Sequence, residues 1–144
     1  MIGIDTNILV YARRRETPHH EAAVTLVREL AQGRSPWAIP WPCVYEFLRV
    51  VTHPRVFNPP TLMANALKDL ASLMAAPTLS MLGEGPAHPG HLLRVVGGGA
   101  VRGNLVHDAH IAALALEHGV TDFLTCDRDF SRFPGLRSRD PFRA

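Results

Sequence analysis

The stretch that decides the fold is the first one, Met1-Ile2-Gly3-Ile4-Asp5-Thr6-Asn7. Its apolar residues 2–4 form a very short run that stops at an acid, which is typical of a buried strand. Thr6-Asn7 then predicts the start of a helix through Tyr11. The run Arg13-Arg14-Arg15 marks the end of that helix, where cations suit the helix dipole.

Later apolar runs predict further strands, and the amphipathic stretches between them predict helices. Strands are expected at Trp37–Pro40, Thr78–Leu82 and Thr121–Cys126, with a fifth near Leu136. One helix is expected to begin with Thr17 as its cap and Pro18 as its first residue and to end at Gly33. Another is expected to begin with Thr61 as its cap and to end at Pro77. Further helices are expected around Val44–Val51, over His91–Val96 and over His107–His118. Strands that alternate with helices predict an α/β fold with a parallel sheet of four or five short strands wrapped by helices.

Length and composition are those of one folded domain, which we expect to span residues 1–144. The hydrophobic fraction of 47% and the charged fraction of 19% exclude intrinsic disorder. No apolar run approaches the ~20 residues of a membrane helix. Because Met1 to Asp5 contains no basic leader, we expect no secretory signal and a cytoplasmic protein without membrane attachment. Cys43 and Cys126 form no Cys-x-x-Cys pair, so we expect reduced thiols.

The basic residues are almost all arginine. The formal net charge is only +2, which is too small to indicate a nucleic-acid partner by itself. Of the 15 basic residues, all but Lys68 are arginine, a side chain suited to bidentate contact with phosphate. If four of the 13 acids gather in one site, the rest of the chain carries 15 basic against nine acidic groups. Genomic base composition explains the arginine excess equally well.

Four acids fall where predicted strands end or where helices begin. Asp5 ends the first strand, Asp127 follows the fourth, Asp108 opens a helix, and Glu46 lies in the helix after the second strand. Ligands of parallel α/β sheets bind beyond the carboxyl ends of the strands, so we expect these carboxylates to converge there. Converging carboxylates repel each other and need a cation. Hard oxygen ligands favour Mg²⁺ or Mn²⁺, which can activate water for an in-line phosphoryl displacement.

The acids also have a structural interpretation. Asp5 and Asp108 lie near helix starts, where a carboxylate caps the helix, and Glu46 has Arg49 three residues on as an ion-pair partner. The functional interpretation is favoured because all four acids fall at one edge of one predicted sheet.

Several motifs in order resemble the PIN-domain ribonucleases. The motifs are Ile4-Asp5-Thr6-Asn7, Tyr45-Glu46-Phe47-Leu48-Arg49, Asn104-Leu105-Val106-His107-Asp108-Ala109-His110, Thr125-Cys126-Asp127-Arg128-Asp129-Phe130 and Phe133-Pro134-Gly135-Leu136. The match spans nearly the whole chain. The segment Phe47–Pro59, with Thr52-His53-Pro54-Arg55-Val56-Phe57, resembles more specifically the VapC toxins of bacterial type II toxin–antitoxin systems.

The resemblance implies a three-layer PIN-like fold with a central parallel sheet. It implies a Mg²⁺- or Mn²⁺-dependent endoribonuclease, the toxin of a toxin–antitoxin pair, which cleaves structured RNA such as tRNA or ribosomal RNA by attack of water on a phosphodiester. It also implies a homodimer and inhibition by a small VapB-like antitoxin.

The resemblance further implies roles for individual residues. The catalytic acids would be Asp5, Glu46, Asp108 and Asp127, with Asp5, Asp108 and Asp127 as metal ligands and Glu46 orienting a metal-bound water or the substrate. The residues that hydrogen-bond these acids would be Thr6, Asn7 and Thr125. Asp129 is either a fifth acid or a cap for its loop, and the structural role is favoured.

Two other functions stay open at this point. A catalytically silent PIN-like module would bind RNA or protein, although such a module would not need four acids at one edge. An Asp-based phosphotransfer or receiver-like domain also clusters acids at strand ends. That class usually needs a lysine near the phosphoryl site, and Lys68 lies in an amphipathic helix far from the predicted edge.

The histidines and glycines are given structural interpretations. His88-x-x-His91 and His107-x-x-His110 have the spacing of zinc ligands, but we expect Pro89-Gly90 to break any helix that aligns the first pair. No cysteine pair completes a tetrahedral zinc site. Gly97-Gly98-Gly99 lacks the Gly-Lys-Ser/Thr of a phosphate loop, so we expect a hinge or a solvent loop there.

Two surfaces are predicted to contact partners. The helix with Phe47, Leu48 and Val51 and the region Leu9–Tyr11 are expected to form apolar walls for an antitoxin arm, although the same helix also suits the core or a dimer surface. Arg13–Arg15 either contact RNA phosphates or form a solvated helix end.

Overall fold

The computed structural model describes residues 1–97 and 100–143. The strands are β1 (Ile2–Ile4), β2 (Trp37–Pro40), β3 (Leu79–Leu82), β4 (Asp122–Leu124) and β5 (Ser138–Arg139). The helices are α1 (Thr6–Arg13), α2 (His20–Gln32), α3 (Trp41–Val51), α4 (Met63–Met74), α5 (His88–Gly97) and α6 (Leu105–Glu117), with a 3₁₀ helix at Arg128–Arg132. In the described residues the five strands form one parallel sheet of order β3-β2-β1-β4-β5, flanked by the six helices. The predicted α/β fold is confirmed.

The centre of the sheet is β1, which pairs with β2 on one side and with β4 on the other. After β1 the chain moves outward to β2 and β3, and it then returns to the opposite side of β1 to form β4 and β5. β1 and β4 therefore flank the topological switch point, where parallel α/β sheets open a crevice at their carboxyl ends. Asp5 follows β1 directly and Thr125 follows β4 directly, so both residues lie at this crevice.

The strands are short continuous apolar runs because helices cover the sheet. Ile4, Trp37, Ile39, Phe123 and Leu124 are at most 1% exposed. The same close packing explains Gly3 in β1. A Cβ added at Gly3 would lie 3.1 Å from the side chains of both Phe123 and Val120.

Two predicted helix caps are wrong. α2 begins at His20 because the Thr17 hydroxyl instead donates a hydrogen bond to the Arg14 carbonyl (2.6 Å), which closes the turn after α1. α4 begins at Met63 because the buried Thr61 hydroxyl accepts a hydrogen bond from the Arg14 guanidinium (3.0 Å). Both threonine hydroxyls therefore form hydrogen bonds with Arg14, at the end of α1, instead of capping a helix.

The expected helix break at Pro89-Gly90 is also wrong. α5 begins at His88 and continues through both residues to Gly97. Proline in the first turn of a helix removes a backbone N–H that has no intrahelical partner, so it does not interrupt the helix. His88 and His91 therefore lie on one helix.

Other predictions concern single features. The last strand lies at Ser138–Arg139, two residues beyond Leu136. Cys43 and Cys126 are free thiols, as predicted. The predicted loop at Gly97-Gly98-Gly99 lies outside the described residues from Gly98 on. In the described ranges, none of the helices is both long and apolar enough to span a bilayer.

Candidate active site

Asp5 is held at the carboxyl end of β1, where it also caps α1. Its Oδ1 accepts hydrogen bonds from the Thr6 backbone N–H (2.7 Å) and from the Cys43 thiol (3.6 Å). Its Oδ2 accepts hydrogen bonds from the Thr125 hydroxyl (2.7 Å) and the Asn7 side-chain amide (3.2 Å). These donors fix a carboxylate that is only 5% exposed. The capping role and a place in the acidic site therefore belong to the same side chain.

Asn7 and Thr125 connect the ends of β1 and β4. The Asn7 amide donates to the Thr125 hydroxyl (3.3 Å), and its Oδ1 accepts from the Cys126 backbone N–H (3.3 Å). The Thr125 hydroxyl also accepts from the Asp127 backbone N–H (3.0 Å). Thr6 differs, because it reaches Asp5 through its backbone, and its buried hydroxyl has no hydrogen-bond partner among residues 1–97 and 100–143.

Three aspartates gather beside this network. Asp108 lies in the first turn of α6, and Asp127 caps the 3₁₀ helix by accepting a hydrogen bond from the Asp129 backbone N–H (2.9 Å). One carboxylate oxygen from each of the three lies within 4.8 Å of the other two. Mg²⁺ holds its oxygen ligands at about 2.1 Å, so two ligands of one ion lie at most about 4.2 Å apart. Asp129 also forms an ion pair with Arg132 (3.6 Å), so it belongs both to its loop and to the acidic cluster.

A cavity of about 200 Å³ collects the four acids singled out in the sequence. Its lining consists of Asp5, Glu46, Asp108 and Asp127 together with Thr6, Asn7, Val10, Tyr11 and Val50. Val10 and Tyr11 belong to the region Leu9–Tyr11 that the sequence marked as an apolar wall, whereas Val50 was not singled out. Val10 and Tyr11 follow Asn7 by three and four residues on α1, and that helical spacing is the signal that places them on the same face.

Burial, together with neighbouring negative charge, raises the pKa of two of these acids. Burial and then the charges of the surrounding acids raise the pKa of Asp108 to about 7. Burial also raises the pKa of Asp5 to about 6, with a smaller contribution from the charge of Glu46. Hydrogen bonds from Thr125 and Thr6 oppose the rise at Asp5. Without a bound cation, Asp5 and Asp108 are therefore partly protonated near neutral pH.

The four acids lack cationic partners in the described part of the chain. No lysine, arginine or histidine there forms a salt bridge with Asp5, Glu46, Asp108 or Asp127, and the expected pair of Glu46 with Arg49 is not formed. A set of carboxylate oxygens that repel each other fits a hard divalent cation such as Mg²⁺ or Mn²⁺.

The fold and this acidic crevice define a known class of protein. The family model of the PIN domain matches residues 2–136, and the chain belongs to this family. Within the family it is similar to ribonuclease VapC48 of Mycobacterium tuberculosis, with 37% identity over 138 residues that cover 96% of this chain and 95% of the relative. The predicted family is confirmed.

Solved structures agree with the fold. VapBC2 from Rickettsia felis, bound to a DNA fragment from its promoter, superposes with a TM-score of 0.68 at 19% identity and covers 97% of this chain and 98% of that chain. VapC20 of Mycobacterium tuberculosis, a sarcin-ricin loop cleaving toxin, has a TM-score of 0.66 at 15% identity and covers 95% of this chain and 99% of that chain. The predicted PIN-like architecture is therefore confirmed.

Proposed function

We propose that the protein is a metal-dependent endoribonuclease, the toxin of a toxin–antitoxin pair, which hydrolyses a phosphodiester bond of structured RNA. The convergence of Asp5, Glu46, Asp108 and Asp127 in one cavity of a PIN-family chain carries the proposal. The ribonuclease name of the relative at 37% identity supports the activity, and VapC20, a sarcin-ricin loop cleaving toxin, supports a structured RNA as the substrate class. The choice between tRNA and ribosomal RNA stays a prediction.

In this proposal Asp5, Asp108 and Asp127, which line one cavity, hold a Mg²⁺ or Mn²⁺ ion. The three carboxylates that lie within 4.8 Å of one another are instead those of Asp108, Asp127 and Asp129, so Asp129 is a further candidate ligand. The ion would supply an activated water and would neutralise charge on the scissile phosphodiester. Hydrogen bonds from the residues next to β1 and β4 keep Asp5 oriented. Glu46 lines the same cavity from α3 and orients the water or the substrate.

The experiment that tests the activity is sequencing of RNA ends after induced expression. Wild type should produce a small set of new ends, and Asp5→Asn should remove them while the protein stays folded. Glu29→Gln is the matched control, because Glu29 is an exposed acid of α2, outside the cavity. New ends in the Asp5→Asn cells equal to those of wild type would contradict the proposal. RNA binding without new ends would support the silent binding module.

An antitoxin arm is proposed for a cleft of about 730 Å³ between α1, α2, α3 and α4. Leu9 and Phe47 line this cleft, as predicted for an apolar anchor, whereas Val51 is fully buried elsewhere. Arg13 and Arg14 line it as well. Leu9 lines this cleft and the next residue, Val10, lines the acid cavity, and in this proposal the arm crosses α1 between the two and places a basic residue at the carboxylates. The apolar anchor is needed because an isolated exposed ion pair contributes under about 1 kcal/mol.

The antitoxin proposal is tested on the co-purified complex. We expect no RNA cleavage by the complex, partial recovery of cleavage with excess Mg²⁺, and ordering of the arm on binding. A tight complex with full cleavage would contradict occlusion of the site.

Arg13 and Arg14 have partners inside the protein, which bears on their predicted contact with RNA. Arg13 pairs with Asp69 of α4 (3.2 Å), and Arg14 pairs with Glu16 (2.7 Å). These pairs fasten the end of α1 to α4 and to the following loop, and contact of the pair with RNA stays a prediction.

A homodimer is part of the proposal. Exposed apolar side chains at the start of α4, Leu62, Met63 and Leu67, offer an apolar surface for it. Light scattering on the purified protein measures the mass directly, and a monomer at micromolar concentration would contradict the dimer.

A further inference from the structure

A second cluster of ligating side chains lies between the loop after β3, α5 and α6, and none of its three residues lines the acid cavity, although His110 and Glu46 line a neighbouring cleft. Glu84 in the loop after β3, His88 in α5 and His110 in α6 each place one ligand atom within 4.8 Å of the other two. His110 Nε2 lies 2.5 Å from Glu84 Oε1, and the rings of His88 and His110 meet edge to face with centroids 5.7 Å apart. His110 follows Asp108 by two residues, which turns it to a different face of the helix.

A buried carboxylate stands behind His88. Glu117, the last residue of α6, places its Oε2 3.6 Å from Nδ1 of His88, and both atoms are buried without a hydrogen-bond partner among the described residues. The loop that carries Glu84 packs tightly on this carboxylate, because a Cβ added at Gly85 would overlap it. Buried polar atoms that face each other without a hydrogen bond are costly, so this arrangement calls for a ligand or a small adjustment that pairs them.

The donor set differs chemically from that of the acid cavity. Two imidazole nitrogens and one carboxylate oxygen form the ligand set of zinc sites that keep a fourth position open. Imidazole ligands favour Zn²⁺, whereas carboxylates alone favour Mg²⁺ and Mn²⁺. A histidine that binds a metal usually donates its other ring N–H to a carboxylate, which orients the ring. Glu117 stands in that relation to His88.

We propose that Glu84, His88 and His110 form a binding site for a divalent transition-metal ion of the Zn²⁺ class. Glu117 is its positioning residue and accepts a hydrogen bond from the ring nitrogen of His88 that the metal does not take. The bound ion fastens the loop after β3 to α5 and α6, the helix that also carries Asp108. The site does not depend on the proposed nuclease activity and would exist if the protein cleaved no RNA.

The sequence motifs contain two of the three proposed ligands, but they pair each histidine with the wrong partner. His88-x-x-His91 and His107-x-x-His110 each contribute one ligand, and the two ligands meet between helices rather than along one helix. The sequence argument against zinc used a helix break at Pro89-Gly90 and the lack of a cysteine pair, but α5 is continuous and a carboxylate supplies the third ligand. The missing third ligand, Glu84, lies in a loop that tertiary packing brings to the two helices.

The test is Zn²⁺ binding to the full-length protein after chelation, measured by calorimetry with Mg²⁺ in excess to occupy the acid cavity. We expect one Zn²⁺ per chain and a higher Tm with Zn²⁺. His110→Gln and Glu84→Gln should each weaken Zn²⁺ binding by more than about 100-fold, because loss of a ligand exceeds the 10- to 100-fold typical of an outer-shell change. Glu117→Gln should weaken it by about 10- to 100-fold.

His91→Gln is the matched control. His91 lies one turn beyond His88 on α5 and contacts only Arg94 by side-chain hydrogen bond among the described residues, so Zn²⁺ affinity should not change. No Zn²⁺ binding by wild type, or wild-type affinity in His110→Gln, would overturn the proposal. Loss of the Zn²⁺ signal in Asp108→Asn, with His110→Gln unchanged, would place the ion in the acid cavity and would overturn it equally. The tests use His110 and Glu84 because their side chains are more exposed than that of His88, so substitution should preserve the fold.

Discussion

Two faces of α6, within one turn of the helix, lie in different electrostatic environments. Asp108 faces other carboxylates, and burial and the surrounding negative charges raise its pKa to about 7. His110 faces Glu84 and His88, so a carboxylate and imidazoles, which attract each other, meet there. On the acidic face, which carries Asp108, carboxylates repel each other. On the histidine face, where His110 meets Glu84 and His88, the groups can hydrogen-bond each other.

The difference shows what each face requires. Like charges converge only where the surrounding structure holds them, as the four donors hold Asp5, and such perturbed acids concentrate at functional sites. The mixed cluster contains groups that can hydrogen-bond each other without a metal ion, so a measured Zn²⁺ affinity decides whether it binds one. The acidic face should control chemistry, and the histidine face should control the stability of the helices that support it.

Chelation of divalent ions should give the largest difference between the roles of the two faces. Removal of divalent ions with EDTA should abolish RNA cleavage, because the carboxylates alone neither activate water nor neutralise the phosphodiester. The far-ultraviolet circular dichroism should stay unchanged, and added Mg²⁺ should restore cleavage. Unfolding on chelation would show instead that an ion in the histidine face is required for the fold.

A single amide should remove most of the activity. Asp108→Asn keeps the shape of the side chain and removes its charge, so the initial rate of cleavage at saturating Mg²⁺ should fall by at least about 100-fold. His91→Gln, at a residue of α5 that belongs neither to the acid cavity nor to the histidine cluster, is the control and should cleave at the wild-type rate. Full activity in Asp108→Asn would remove this residue from the proposed metal site.

The sequence predicted the fold and the acidic face because both follow local rules. Buried parallel strands are continuous apolar runs, and a residue such as Asp5 that directly follows one must lie at the carboxyl edge. The order of the strands then decides which edges meet, and β1 beside β4 brings Asp5 to Asp127.

The errors come from long-range contacts. Thr17 and Thr61 had the local signature of helix caps, but Arg14 engages both of them at the end of α1. The histidine face was missed for the same reason, because His88 and His110 meet only when α5 packs on α6. Local spacing does not contain either contact.

The pH dependence of stability should distinguish the faces by a few degrees. The pKa of Asp108 rises from its ordinary 3.8 to about 7 on folding, with Asp5, Glu46, Asp127 and Asp129 as the facing charges. A raised pKa means that the folded state binds the extra proton, so this stabilisation is complete below about pH 4 and is lost as the pH rises through about 7. The Asp108→Asn variant has no ionisable group at this position, so it does not lose this stabilisation as the pH rises.

The measurement is the Tm of both proteins in metal-free buffer from about pH 5 to about pH 8. The advantage of Asp108→Asn over wild type should grow with pH to on the order of a few degrees, since Asp108 is partly exposed and solvent reduces both the cost of its burial and the repulsion by its neighbours. Excess Mg²⁺ should reduce the advantage, because wild type binds the ion more tightly. An advantage that shrinks as the pH rises would contradict like-charge repulsion.

The smallest expected effect comes from one methyl group on the histidine face. Gly85→Ala would force the Glu117 carboxylate away from its place beside His88, so Zn²⁺ affinity should fall by about 10-fold, the lower end of outer-shell effects. Gly90→Ala is the control, because a Cβ there meets nothing within 4 Å, and alanine should stabilise α5 by up to about 1 kcal/mol. The dependence of RNA cleavage on Mg²⁺ should be the same in both variants, since neither glycine lines the acid cavity. If Gly85→Ala and Gly90→Ala bind Zn²⁺ equally well, Glu117 does not position His88. A change in the Mg²⁺ dependence of Gly85→Ala would show that the two faces of α6 are coupled.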